Sequence, residues 1–202
     1  MEIIELQSLV LNVCRKLPEL RLVTGTSGNV SARDPETGFV AIKPSSVPYD
    51  QMEVDDIIVM TLSGEIIADK AGRKPSIEAP THLEIYRRLP GVNGVIHSHS
   101  KFVNILSSVR DEIPCATTST GLRMLKKPIP VIDYVDNGTQ EMADAVAPIF
   151  EKNVAVAIRN HGPFIVGESL QLALERTIAL EDTSEIYFQA SLLGTPSLIT
   201  ET

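Results

Sequence analysis

Val92-Asn93-Gly94-Val95-Ile96-His97-Ser98-His99-Ser100 decides how this chain is read. The run 92–96 is short and apolar, as a buried strand is. A strand points alternate side chains to opposite faces, so His97 and His99 project from one face at the strand's end. Two adjacent imidazoles repel when protonated and suit a metal ion when neutral. Ser98 and Ser100 fall on the opposite face, and the chain has no GxSxG elbow, so a serine nucleophile is poorly supported.

Outward from that strand lie two other histidines, His82 and His161. His161 sits in Arg159-Asn160-His161-Gly162, a turn between the strand signals 154–158 and 163–166. A loop histidine beside glycine reaches the edge of a sheet. His97, His99 and His161 then form an all-histidine site with open coordination positions, as catalytic zinc requires. Histidines without a cysteine suit zinc best, with cobalt or manganese as alternatives. Glu78, in Pro75-Ser76-Ile77-Glu78, falls in the first turn of a helix predicted at 77–88, where Ser76 is the expected N-cap. It is the candidate general base or fourth ligand. Glu78 and His82 share a helix face, an alternative metal arm, although His82 reads better as packing support.

The remaining signals place a helix at 3–17, a hairpin of strands 29–33 and 39–42, and strands at 57–61 and 65–67. A helix at 101–108, a strand at 129–132 and helices at 138–150 and 169–193 complete the pattern. Short turns between strands predict one α/β domain over residues 1–202. Its sheet is mixed and largely antiparallel, lying between helical layers.

Three loops rich in hydroxyls and glycine follow strand ends or precede helices: Gly25-Thr26-Ser27-Gly28-Asn29, Lys43-Pro44-Ser45-Ser46 and Lys74-Pro75-Ser76. Hydroxyls and free backbone N–H groups are what a phosphate dianion needs. No loop matches a P-loop or a dinucleotide fingerprint. Lys43 has no local mark of the desolvation a Schiff-base lysine needs.

Composition narrows the function classes. The 202 residues carry a formal net charge of −8, and no basic block stands out, which disfavours nucleic acid and anionic membranes as partners. Only 4% are aromatic, with no Trp, so stacking on bases is poorly supplied. No apolar run approaches the length of a membrane span. Cys14 and Cys115 are far apart, and acids stand near the N-terminus where a signal peptide carries bases. A cytoplasmic protein with reduced thiols is the expectation.

The chain resembles the class II aldolase/adducin family from Leu22 to about Tyr187. The resemblance is carried by Thr24-Gly25-Thr26-Ser27-Gly28-Asn29-Val30-Ser31, Ile42-Lys43-Pro44-Ser45-Ser46-Val47-Pro48-Tyr49, Pro75-Ser76-Ile77-Glu78, His97-Ser98-His99-Ser100 and Asn160-His161-Gly162-Pro163-Phe164. It implies an α/β/α fold and zinc on His97, His99 and His161. Glu78 would be a resting ligand or the acid/base residue. Phosphate would lie against Thr26, Gly28, Asn29, Ser45, Ser46 and Ser76. The implied activity is a zinc-dependent aldolase that joins dihydroxyacetone phosphate to an aldehyde, or cleaves such a sugar phosphate. A homotetramer with interfacial active sites is implied too. Ribulose-phosphate epimerases, related dehydratases and non-catalytic adducin-like proteins share the resemblance. The sequence departs from the family at Ile77, where a hydroxyl is expected. It also has Thr117 and Thr118 where the aldolases place a tyrosine, and Leu122 where the epimerase has an aspartate.

Overall fold

Gly94–His97 is the fifth strand and the middle of a nine-stranded sheet in the computed structural model, which describes residues 1–200. In chain order the elements are α1 (Ile3–Glu19), β1 (Asn29–Arg33), β2 (Val40–Ile42), β3 (Ile58–Met60) and β4 (Ile66–Ala68). Then come α2 (Ala79–Arg88), β5 (Gly94–His97), α3 (Lys101–Ser107), β6 (Glu112–Ile113) and α4 (Ser119–Leu125). The chain continues through β7 (Ile129–Ile132), α5 (Gln140–Val146), β8 (Ala155–Ile158), β9 (Gly162–Gly167) and α6 (Leu170–Leu193). The strands lie in the order β4-β3-β2-β1-β5-β9-β8-β7-β6. Among the described residues only β7 and β8 pair in parallel, so the sheet is mixed and mostly antiparallel, as expected.

Alternation along the strands makes two apolar faces, and helices cover both. Val30, Ala32 and Ile96 pack against α1 and the start of α6. Val95, Val156, Phe164 and Val166 face the opposite way, toward α2 and α5. A third cluster joins Ala155, Ala157 and Ile165 to α3, α4 and Leu180 of α6. His97 shares its face with Val95, so its imidazole emerges on the α2 side, at the end of the sheet.

The structure moves several expected boundaries. Helix α2 starts at Ala79, two residues late, with Pro80 in its first turn. Proline fits there because its missing N–H would have had no helical partner anyway. Ser76 is therefore not the N-cap; its Oγ accepts from the Glu78 N–H at 3.3 Å in a tight turn. The predicted helix 138–150 keeps α-geometry over Gln140–Val146 and tightens to a 3-10 turn at Ala147–Glu151, around Pro148. Strand β6 and helix α4 are additions to the expected pattern. No helix among the described residues is long and apolar enough to cross a membrane.

Candidate active site

Two antiparallel pairings build the centre of the site. β1 pairs with β5 so that Asn29 lies opposite His97, and β5 pairs with β9 so that His97 lies opposite Phe164. The β8–β9 hairpin turns through Asn160, whose φ of 58° is the left-handed conformation that asparagine tolerates. The turn delivers His161, whose carbonyl accepts from Asn104 Nδ2 of α3 at 3.0 Å. His99 follows the end of β5, its N–H donating to Leu22 O at 2.9 Å.

The three imidazoles converge by their Nε2 atoms. His97 Nε2 lies 3.1 Å from His99 Nε2 and 3.2 Å from His161 Nε2. The ring of Phe164 stacks on His97 at 4.2 Å between centroids and limits its rotation. His97 Nδ1 is 3.0 Å from the Pro163 carbonyl. A carbonyl only accepts, so Nδ1 carries the proton and Nε2 turns a bare lone pair to the cluster. Burial pushes the His97 pKa down to about 3, against the pull of the Glu78 carboxylate. Burial, followed by His161, also lowers His99.

Glu78 occupies the N-cap position of α2, yet its side chain makes no cap hydrogen bond. It turns inward instead. Oε2 accepts from Asn29 Nδ2 at 2.5 Å and sits 3.4 Å from His97 Nε2, while Oε1 sits 3.2 Å from His161 Nε2. Burial opposes its charge, while the Asn29 amide, and His97 and His161 in their protonated forms, pull the carboxyl well below the usual carboxylate range. It is ionised at neutral pH.

This donor set fits a divalent cation. Tetrahedral zinc–nitrogen bonds of about 2.0–2.1 Å set ligand nitrogens roughly 3.3 Å apart. The observed 3.1 and 3.2 Å spacings are close to that, and the ligand atoms of His97, His99 and His161 all lie within 4.8 Å of one another. Lone pairs that face each other without a shared proton are stabilised by a cation between them.

A cavity of about 250 Å³ opens beside this cluster. Thr26, Gly28, Asn29, Ser45, Ser46, Ser76, Glu78, His99 and His161 all line it, whereas His97 is fully buried behind them. Two backbone links bring the serine loops together. Ser45 N donates to Lys74 O and Ser76 N to Lys43 O, and Pro44 and Pro75 form a β-bridge. The 24–28 loop is propped from below by Tyr49, whose hydroxyl donates to Ser27 O at 2.9 Å. Gly28 has a φ of +73°, and a Cβ there would lie 2.8 Å from His97 O. Only glycine lets the loop pass that close to β5.

The side chain of Asn29 departs from its expected use. Its amide is engaged between Glu78 and His82, not turned to the hydroxyl loops. His82 does not join the three-histidine cluster either; its ring nitrogens meet Asn29 and Ser31.

Two further residues belong to the site. Lys43 is only 2% exposed, and burial lowers its pKa, so it is desolvated after all. Its Nζ donates to Thr26 O and Pro44 O at 3.2 Å each and sits 4.8 Å from the centroid of the Tyr49 ring. A lysine that directly follows an apolar strand was the available signal. Asn137 also lines the cavity, carried there by the 133–139 loop. Gly138 packs so close to Ile77 that a Cβ would lie 2.7 Å from Ile77 O. No local pattern marks Asn137.

Comparison with known proteins extends this geometry. Residues 8–188 match the family described as the Class II Aldolase and Adducin N-terminal domain. A 5-deoxy-D-ribulose 1-phosphate aldolase of Bacillus thuringiensis serovar kurstaki is 30% identical over 187 residues, covering 93% of this chain and 86% of that protein. An L-ribulose-5-phosphate 4-epimerase UlaF of Salmonella paratyphi C is 30% identical over 192 residues, covering 90% of this chain and 83% of that protein. An L-fuculose 1-phosphate aldolase structure superposes with a TM-score of 0.90 at 28% identity, over 98% of this chain and 91% of its own. A match across most of the chain, joined to this fold, makes it a member of the class II aldolase/adducin family.

Proposed function

We propose that the chain is a zinc-dependent aldolase acting on a ketose 1-phosphate, with dihydroxyacetone phosphate and an aldehyde as the cleaved pair. The observation that carries this reading is the convergence of Glu78 with three imidazoles at the wall of a cavity lined by hydroxyl loops. His97, His99 and His161 would hold the cation, with Glu78 as a fourth donor in the resting state. A bound cation supplies Lewis-acid polarisation of the substrate oxygens.

The chain's own residues supply the rest. Glu78 is ionised and serves as the base that removes, or the acid that returns, the proton beside the carbonyl. The contacts that keep it ionised also weaken it as a base, so substrate that separates it from His97 and His161 raises its basicity. Thr26, Gly28, Ser45, Ser46 and Ser76 form the phosphate cradle. Lys43 adds a positive charge at the cavity wall, its Nζ held by Thr26 O and Pro44 O. Binding the phosphate away from the reacting bond orients the substrate. Ile77 removes one hydroxyl from the cradle.

Incubation of the zinc-loaded protein with dihydroxyacetone phosphate and short aldehydes tests the reading. Condensation with at least one aldehyde is expected, and none across the series overturns it. The relative named as an epimerase is as similar as the one named as an aldolase, so epimerisation of ribulose 5-phosphate is the second reading. Epimerisation that survives Glu78→Gln favours it. Near-stoichiometric zinc, lost on replacing His97 and His99 with alanine, argues against a non-catalytic scaffold. A cytoplasmic homotetramer with sites at subunit interfaces completes the proposal. Exposed Val109, Leu192 and Leu193 are apolar surface that assembly can cover, and light scattering reads the mass directly.

A further inference from the structure

His82 is fully buried in α2, and the proposed chemistry gives it no task. It stands in a row of five polar side chains. Glu78 Oε2 meets Asn29 Nδ2 at 2.5 Å, and Asn29 Oδ1 meets His82 Nε2 at 2.5 Å. His82 Nδ1 meets Ser31 Oγ at 2.7 Å, and Ser31 Oγ meets Tyr86 OH at 2.8 Å.

Chemistry fixes the direction of every bond in this row. Asn29 Nδ2 donates to Glu78 Oε2, which leaves its carbonyl oxygen facing His82 Nε2. That oxygen only accepts, so His82 Nε2 carries the ring proton. The neutral ring then offers a lone pair at Nδ1, and the Ser31 hydroxyl donates to it. Ser31 is left with its oxygen to accept from Tyr86. Swapping the asparagine amide end for end would set an oxygen against the carboxylate and an NH2 group against the imidazole N–H.

We propose that His82, held as the Nε2–H tautomer by Ser31, is a positioning residue that locks the Asn29 amide in the one orientation that presents its NH2 group to Glu78. The row has a second consequence, which rests on reading Glu78 as the acid/base residue. Every donor points toward Glu78, and an amide does not relay protons. A proton taken up by Glu78 therefore has no route inward through Asn29 and His82.

Long-range 1H–15N NMR of the metal-free protein at pH 7 tests the tautomer directly. A protonated Nε2 and a bare Nδ1 on His82 are expected; a proton on Nδ1, alone or with Nε2, overturns the inference. Two variants test the positioning role. His82→Gln keeps an N–H where Nε2 stands, and His82→Leu removes it. In zinc-loaded protein His82→Leu is expected to lower kcat by about ten- to a hundredfold with little change in KM, and His82→Gln to restore most of it. Equal losses in both variants, or a loss confined to KM, overturn the positioning role. If His82→Leu does not fold, the NMR measurement on the unaltered chain still decides. If the unaltered chain turns over no sugar phosphate, the proposed function fails, while the tautomer stands or falls by NMR alone.

Discussion

At the scale of single residues, the site depends on groups held close and dry. Glu78→Gln keeps the side-chain shape and removes the ionised oxygen that faces His161. The fold is expected to survive, with turnover reduced by about 10²–10⁴-fold, the usual contribution of a general acid–base group. A kinetic comparison at saturating substrate checks this, and unchanged kcat removes Glu78 from the mechanism. Gly28→Ala is predicted to act through strain. Its φ of +73° and the 2.8 Å approach of a Cβ to His97 O force the loop off β5. A loss of about 1–3 kcal/mol in a urea melt is expected. His97 and His99 were legible because a strand's period of two puts them on one face, whatever surrounds the strand. Lys43 was not, since its desolvation comes from Tyr49 and the 24–28 loop, which meet it only in the folded chain.

Elements were legible in proportion to their length and pattern. The β8–β9 hairpin and α6 stood out because each is a long, consistent apolar signal. β6 has only two residues, too few to show any period. Helix α4 opens with Ser119-Thr120-Gly121, poor helix formers that hid it. Its Thr118 cap, whose Oγ1 accepts from Gly121 N at 2.9 Å, was the one readable mark. Capping also matters for α6, which covers β5 and β9. Ser169 Oγ accepts from Leu172 N at 3.1 Å and is the side-chain cap of that helix. Ser169→Ala is expected to lower stability by about 1 kcal/mol without altering metal binding. Thermal melts alongside a zinc titration check both parts.

For the whole molecule, stability is tied to protons and to the cation. Burial pushes the His82 pKa from 6.5 down to about 4, with Glu78 opposing. The unfolded chain therefore takes up that proton first as the pH falls. Stability is fully present above pH 6.5 and is lost progressively between 6.5 and about 4, by at most about 3 kcal/mol from this group. His97, lowered to about 3, acts in the same direction in metal-free protein. Urea midpoints measured from pH 7 to 4.5 are expected to fall, and a flat profile contradicts the buried neutral state of these rings. Zinc that binds only the folded chain raises its stability by about 2.7 kcal/mol at a hundredfold excess over Kd. For a chain of this size that is a rise of roughly 5–10 °C in Tm. The rise should vanish when His97 and His99 are replaced by alanine.

The hairpin that carries His161 also sets when the site can exist. His99 and His161 are 62 positions apart in the sequence. β5 has β1 as a partner early, but its other edge waits for β9. During synthesis at about 5–20 residues per second, that interval lasts roughly 3–12 s. Throughout it, the growing chain displays two histidines and a glutamate without the third imidazole. A truncated copy that stops before residue 161 therefore never completes the cluster. With the proposed cation on these three imidazoles, position in the reading order would make its tight capture a property of finished chains, so tight zinc uptake by a series of stalled nascent chains would report when the central sheet closes.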